Sequence, residues 1–297
     1  MIPAARSEGV SIYCPEDGRI SFFNSPYFAH RNYTGIDIYP NLKFGDEAPS
    51  PVSGEVVEIR HLGFFPNRGF GFSSQDYAII LRSRENEGRF IKMLHVKPNV
   101  EIGDRVRVGD GIGYLLRSGF FDFWTDPHIH VEVRDPSDPL RARGGYRISR
   151  LINVDVNCTD IMDLKGLSGI VVESRREYSL VALNCCLEHG IPAHLDEGVG
   201  IIDGGVPHYG FFGIHASRTP KIGERVRFLG REIGSVVSVY EGMGLAKIHE
   251  NVVFRLNGKP VRLSLYLFPS TPIVKVIPEK PGDLPLKRHK EVKLTLA

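Results

Sequence analysis

Two histidines at i and i+2, His128 and His130, stand just ahead of Glu132. In an extended strand alternate side chains share a face. His128, His130 and Glu132 then line one side, while Ile129, Val131 and Val133 fill the other. Two imidazoles backed by an apolar face are well placed to share a metal and the water that it activates. Zinc takes such nitrogen and oxygen ligands in a tetrahedron and can keep one position open. A carboxylate is available in Tyr33-Thr34-Gly35-Ile36-Asp37, where an extended backbone would set Tyr33, Gly35 and Asp37 on one face. His95 closes a further apolar run, Phe90–His95.

The elements that must hold these residues read as short strands. Gly54–Arg60, Asp76–Arg82, Phe90–His95 and His128–Arg134 are rich in β-branched and aromatic side chains. Turn residues such as Pro49-Ser50-Pro51 and Asn67-Arg68-Gly69 separate them. Val100–Tyr114 alternates apolar residues with glycines and reads as tight hairpins packed against a sandwich. The predicted fold class is therefore all-β. A boundary near residue 150 gives a first domain of residues 1–150 and a second β-rich domain of 151–297, ending in a partly flexible tail. Within the second, Lys221–Gly234 echoes Glu101–Gly113, as either a reused hairpin or a duplication of the fold.

In this order the pieces resemble the lysostaphin-type (LytM-like) zinc endopeptidases, whose fold is a duplicated hybrid motif. That family opens with His-x-Gly-x-Asp and closes with Pro-His-Leu-His-Phe-Glu-Val. Here Gly35-Ile36-Asp37, Pro51–Val56, Met93-Leu94-His95, Val100–Gly113 and Pro127–Val133 follow in register over residues 20 to 135. The resemblance implies a two-sheet β-sandwich or barrel-sandwich hybrid, and zinc as cofactor. It further implies Asp37 and His130 as ligands, with His95 and His128 as the catalytic histidines. The family's first ligand falls on Tyr33, a neutral phenol with an ordinary pKa near 10. Tyr33 as phenolate, His30 folding back from the preceding turn, or a different metal would each complete the set. Two functions stay open: peptide-bond hydrolysis by a metal-activated water, or an inactive module that binds a peptide or protein on the same fold.

Composition narrows the partners. A net charge of +2 predicts no strong attraction to nucleic acid or anionic membrane. Met1–Glu8 lacks the basic-then-apolar pattern of a secretory signal, and no apolar run is long enough to span a bilayer, so a cytoplasmic location is expected. The four cysteines, Cys14, Cys158, Cys185 and Cys186, do not suggest a disulfide framework. Cys185 and Cys186, near His189 and His194, would point to opposite faces of a strand and suit a structural role. Asp203–Gly210 reads as a loop, with His208 and His215 unassigned. A biotinyl or lipoyl carrier would need a lysine at a hairpin tip between Gly103 and Tyr114, and none is there.

Overall fold

A computed structural model describes residues 1–63, 70–154, 166–183, 189–269 and 272–297. Cys158, Cys185, Cys186 and the Asn67–Gly69 turn lie outside these residues. The described chain is all-β, of the sandwich and barrel class, with one helix of a single turn. Among the described residues, no helix is long and apolar enough to cross a membrane. The chain divides into two compact units. One is Met1–Ile20 with Tyr27–Ile152, and the other is Ser21–Pro26 with Asn153–Ala297.

The first unit opens with β1 (Ile2–Ser7), β2 (Val10–Cys14) and β3 (Arg19–Ser21), whose last residue already clusters with the second unit. Then come α1 (Phe28–Arg31), β4 (Ile36–Tyr39), β5 (Glu47–Pro49), β6 (Gly54–Leu62) and β7 (Asp76–Ser83). β8 (Phe90–Leu94), β9 (Val96–Pro98), β10 (Arg105–Val106), β11 (Gly111–Leu115), β12 (Ile129–Arg134) and β13 (Ser149–Arg150) complete it. The main sheet runs β10-β6-β7-β8-β12-β4-β3, and β5-β11-β9 forms a second, smaller one. β12 lies between β8 and β4 with all six residues buried. Its register builds rows of opposite character. Ile36, Val131, Met93 and Ile79 form one apolar row across four strands, all fully buried. Each such side chain stabilises the fold by roughly 1.5–3 kcal/mol. The two rows flanking it carry Asp37 opposite His130 on one side and Glu132 opposite Lys92 on the other.

The second unit contains β14 (Gly166–Ser174), β15 (Ser179–Leu183), β16 (Ile191–His194), β17 (Val199–Val206), β18 (Phe211–His215) and β19 (Arg225–Phe228). β20 (Arg231–Tyr240), β21 (Met243–Ile248), β22 (Phe254–Leu256), β23 (Lys259–Leu265), β24 (Ile273–Ile277) and β25 (Glu291–Leu296) follow. Their order is β16-β19-β20-β21-β18-β17-β23-β22-β25-β14-β15-β24, and β16 also pairs with β17 and β23 with β24. Each half of this row thus closes on itself as a ring of six strands. Closure removes the exposed edges on which open sheets aggregate.

Two expectations are corrected here. The lysine- and proline-rich end is not a tail: β25 sits between β14 and β22. Its alternation buries Val292 and Leu294 while Glu291 and Lys293 stay exposed, which is strand patterning. Asp203–Val206 is not loop but the end of β17. Asp203 tolerates full burial there because the Ser21 hydroxyl, the Phe22 N–H and His215 Nε2 all converge on its carboxylate. The role of His215 is thereby structural.

The echoed fragments share one arm and differ in the other. In both, the turn glycine donates to a valine carbonyl (Gly103 to Val56, Gly223 to Val236, each 2.8 Å) and the valine N–H donates to the following acid's carbonyl. Gly103–Val106 finds its partner strand some fifty residues earlier, in β6, and then crosses to β11 in the other sheet. Lys221–Phe228 pairs with β20, which follows it directly. The hairpin chemistry is reused, while the connections differ.

Candidate metal centre

Asp37 and His130 face each other across β4 and β12, and His130 Nδ1 lies 2.8 Å from Asp37 Oδ1. The third donor is His30, from α1. Its Nε2 is 3.3 Å from Asp37 Oδ1 and 3.2 Å from His130 Nδ1. A tetrahedral zinc with bonds of about 2.0–2.1 Å needs donors about 3.3 Å apart. Of the triangle formed by the three atoms, contributed by a helix and two strands, the two sides at His30 already have that length, and the Asp37–His130 side, at 2.8 Å, is shorter. Two imidazoles and one carboxylate are also donors that zinc prefers. The residues fit the metal.

His30 reaches the site because the chain doubles back after one helical turn. Asn32 N–H donates to Phe28 O (3.1 Å), Thr34 N–H donates to Ala29 O (2.8 Å), and Tyr33 adopts a left-handed φ of +61°. A non-glycine residue pays roughly 1–2 kcal/mol for that conformation. The extended reading of Tyr33–Asp37 therefore fails at Tyr33, since the strand starts only at Ile36. Strand parity no longer places the phenol beside Asp37. Tyr33 is buried, and its carbonyl accepts from Ile148 N–H (2.8 Å).

Gly35 is the spacer that makes the close approach fit. A Cβ there would lie 2.7 Å from His130 Cε1 and 2.9 Å from Ala29 Cβ. Gly35→Ala is expected to push His130 and α1 apart and to weaken metal binding about tenfold or more, at a stability cost of about 1–3 kcal/mol. Calorimetric zinc titration and thermal melts of that variant test this; wild-type affinity would show that the approach is not needed.

The site is buried and rich in ionisable groups. His30, Asp37, His95, His128 and His130 are between 1 % and 7 % exposed. Burial pushes the Asp37 carboxyl up, but His30, His128 and His130 overcome it and hold it well below the usual carboxylate range. Burial alone would lower His130; hydrogen bonds to Asp37 and Glu132 reverse this and lift it to about 9. His130 Nε2 lies 3.2 Å from Glu132 Oε1. Glu132 is in turn bonded by Lys92 and by Arg134 (Nη1 to Oε2, 3.0 Å). Arg134 is completed by the carbonyls of Asp138 and Arg143. A buried carboxylate so braced holds the His130 ring with Nδ1 toward Asp37 and His30.

His95 and His128 sit beside this cluster, their ring centroids 5.0 Å apart. His95 takes a φ of +72° just past β8, and its Nδ1 donates to Asp76 Oδ2 at 2.6 Å. Asp76 also accepts from the His95 N–H and the Ser118 hydroxyl. His128 Nδ1 donates to Asp126 O (2.9 Å), which leaves Nε2 as the acceptor, 3.8 Å from Asp37 Oδ2. Burial is the main cause that pushes His128 down to about 4, so it is neutral near pH 7. Phe121 stacks on His128 at 4.7 Å and meets His95 edge-on at 4.6 Å.

The structure thus brings together Asp37, His95, His128 and His130. Asp76, Lys92 and Arg134 carry no signal in the sequence reading, because their partners lie on other strands. Of the other sequence candidates, His189 contacts the Phe268 carbonyl (3.3 Å), and His194, on β16, pairs with Val199 of β17 and Arg227 of β19. Among the described residues, the His30, Asp37 and His130 group is the one cluster that could hold a metal.

A family model described as "Domain of unknown function (DUF8155) N-terminal domain" matches residues 11–150. No curated protein matches the chain. The solution structure of lysostaphin aligns over 88 % of this chain and 92 % of its own, at 15 % identity and a TM-score of 0.28. At that level the alignment bears on neither fold nor activity.

Proposed function

We propose that the first unit is a metal-dependent hydrolase domain of the LytM-like type, acting on peptide bonds. The observation that carries this reading is the triangle of His30 Nε2, Asp37 Oδ1 and His130 Nδ1, with sides of 2.8 to 3.3 Å. Zinc, when held there, would supply an activated water and polarise a scissile carbonyl. His128 is neutral with its Nε2 lone pair free of the Asp126 bond, which suits it to accept a proton. His95, fixed with a proton on Nδ1 by Asp76, presents Nε2 as a proton acceptor, and only after taking that proton could Nε2 donate to a developing oxyanion. Phe121 packs against both rings, limits water and fixes their planes.

The test is metal content and cleavage of glycine-rich peptides, with and without chelator. The reading expects one zinc per chain and cleavage that a chelator abolishes. Zinc without cleavage would favour the alternative, a peptide-binding module on the same frame. Absence of both sinks the metal centre.

Metal uptake should be coupled to proton release. A ligating imidazole must be neutral, whereas His130 stays protonated up to about pH 9 in the free cluster. Apparent zinc affinity is therefore expected to climb about tenfold per pH unit between 7 and 8 and to flatten above 9. Competition titrations across that range check it, and a flat profile would remove His130 from the ligand set.

A further inference from the structure

At the β10 edge of the main sheet, away from the β4–β12 pair, lies a cleft of about 440 Å³. Arg82, Arg84, Arg105 and Arg107 line it, together with Glu55 and Glu87. The register explains the convergence. Arg105 on β10 faces Glu55 on β6, and Glu55 faces Arg82 on β7, so the three project from one face of adjacent strands. Arg84 and Arg107 follow two residues later, just past the ends of β7 and β10. Gly54 forms part of the floor; a Cβ there would lie 2.4 Å from the Arg82 carbonyl.

The unit-two copy of the same fragment provides an internal comparison. There Arg225 and Arg227, the counterparts of Arg105 and Arg107, both reach Asp196, at 2.9 and 3.4 Å. In the first unit none of the four guanidiniums makes an ion pair or side-chain hydrogen bond among the described residues, and all four are exposed. Four like charges against two carboxylates leave a formal excess of two on one concave surface. Guanidiniums in excess over the neighbouring carboxylates repel one another, and an anion in the cleft would supply the pairing that Asp196 gives in the second unit.

We infer that this cleft binds a small phosphate-bearing molecule. Planar guanidinium forks match phosphate oxygens bidentately, and arginine outperforms lysine where that geometry matters. The cleft has the volume of a small-molecule site. A continuous nucleic-acid backbone suits it less well, because Glu55 and Glu87 would repel it and the whole chain carries only +2. The site is independent of the metal centre and stands whether or not the hydrolase reading does.

Calorimetric titration of the full chain with pyrophosphate and with inorganic phosphate at low salt tests the inference. Saturable one-to-one binding is expected, tighter for pyrophosphate. The double variant Arg82→Ser/Arg105→Ser should lose about tenfold or more in affinity. Arg225→Ser/Arg227→Ser in the second unit should leave it unchanged. All these side chains are at the surface, and circular dichroism verifies that each variant folds. Three results would overturn the assignment. They are no saturation by millimolar pyrophosphate, undiminished binding by the Arg82/Arg105 variant, or displacement of pyrophosphate by a single-stranded oligonucleotide with a steep salt dependence.

Discussion

Alanine at position 30 is expected to abolish zinc binding at micromolar metal, whereas Tyr33→Phe is expected to stay within a few fold of wild type. Losing an outer partner of a metal ligand costs roughly 10–100-fold in affinity, and losing one of three direct ligands costs more. His30 Nε2 is 3.2–3.3 Å from both other donors, so its removal opens one side of the triangle. Tyr33 occupies the position where the resembling family carries its first histidine, yet its left-handed backbone serves to swing His30 into place. Zinc titrations of the two variants separate the alternatives cleanly. If Tyr33→Phe loses the metal and His30→Ala keeps it, the phenol is the ligand and the geometric assignment falls. Placing His at 33 in the His30→Ala background tests whether the two positions are interchangeable.

The second large effect is expected at Glu132. Glu132→Gln keeps the shape but sets two buried cations, Lys92 and Arg134, against a neutral amide. Breaking a buried ion pair by removing one partner typically costs about 3–5 kcal/mol. Zinc affinity should fall as well, by about 10–100-fold, because His130 Nε2 loses its carboxylate. The pH dependence follows with a definite sign. Burial would raise the Glu132 carboxyl, but His130 and Lys92 bring it down to about 2, below the ordinary 4.5. Its folded-state pKa is depressed, so its stabilisation is fully present above pH 4.5 and is lost as pH falls toward 2. Denaturant unfolding of wild type should weaken across that window, and Glu132→Gln should flatten the slope. An unchanged acid limb in the variant would assign the acid sensitivity to other carboxylates.

Much of this site was legible in the sequence, for identifiable reasons. The pairing of Asp37 with His130 came only with the family resemblance, whereas the alternation in His128–Val133 specified a strand and its two faces. Those are short-range patterns with a period of two. His30 was visible as a fold-back, but only the turn through Asn32 and Tyr33 decides that it arrives, and a left-handed tyrosine has no strong local signature. Lys92 and Asp76 depend on cross-strand register, which a single chain does not display. The echo at Lys221–Gly234 illustrates the same limit from the other side. Like residues made like turns, yet the strand that each turn leads to was set by the rest of the fold.

Ser21–Pro26 bears on how the protein is made and where it can be divided. These six residues cluster with a unit whose remaining chain begins at Asn153, and they include Phe22 and Phe23, both fully buried. During synthesis the segment leaves the ribosome well over a hundred residues before the strands that enclose it. The second unit cannot be completed by its own contiguous stretch of chain. Its closure waits on a contact of long sequence separation, which slows folding and leaves two phenylalanines available for misassociation in the interval. An expression fragment ending at Ile152 would carry this plug away from its socket, and one starting at Asn153 would lack it.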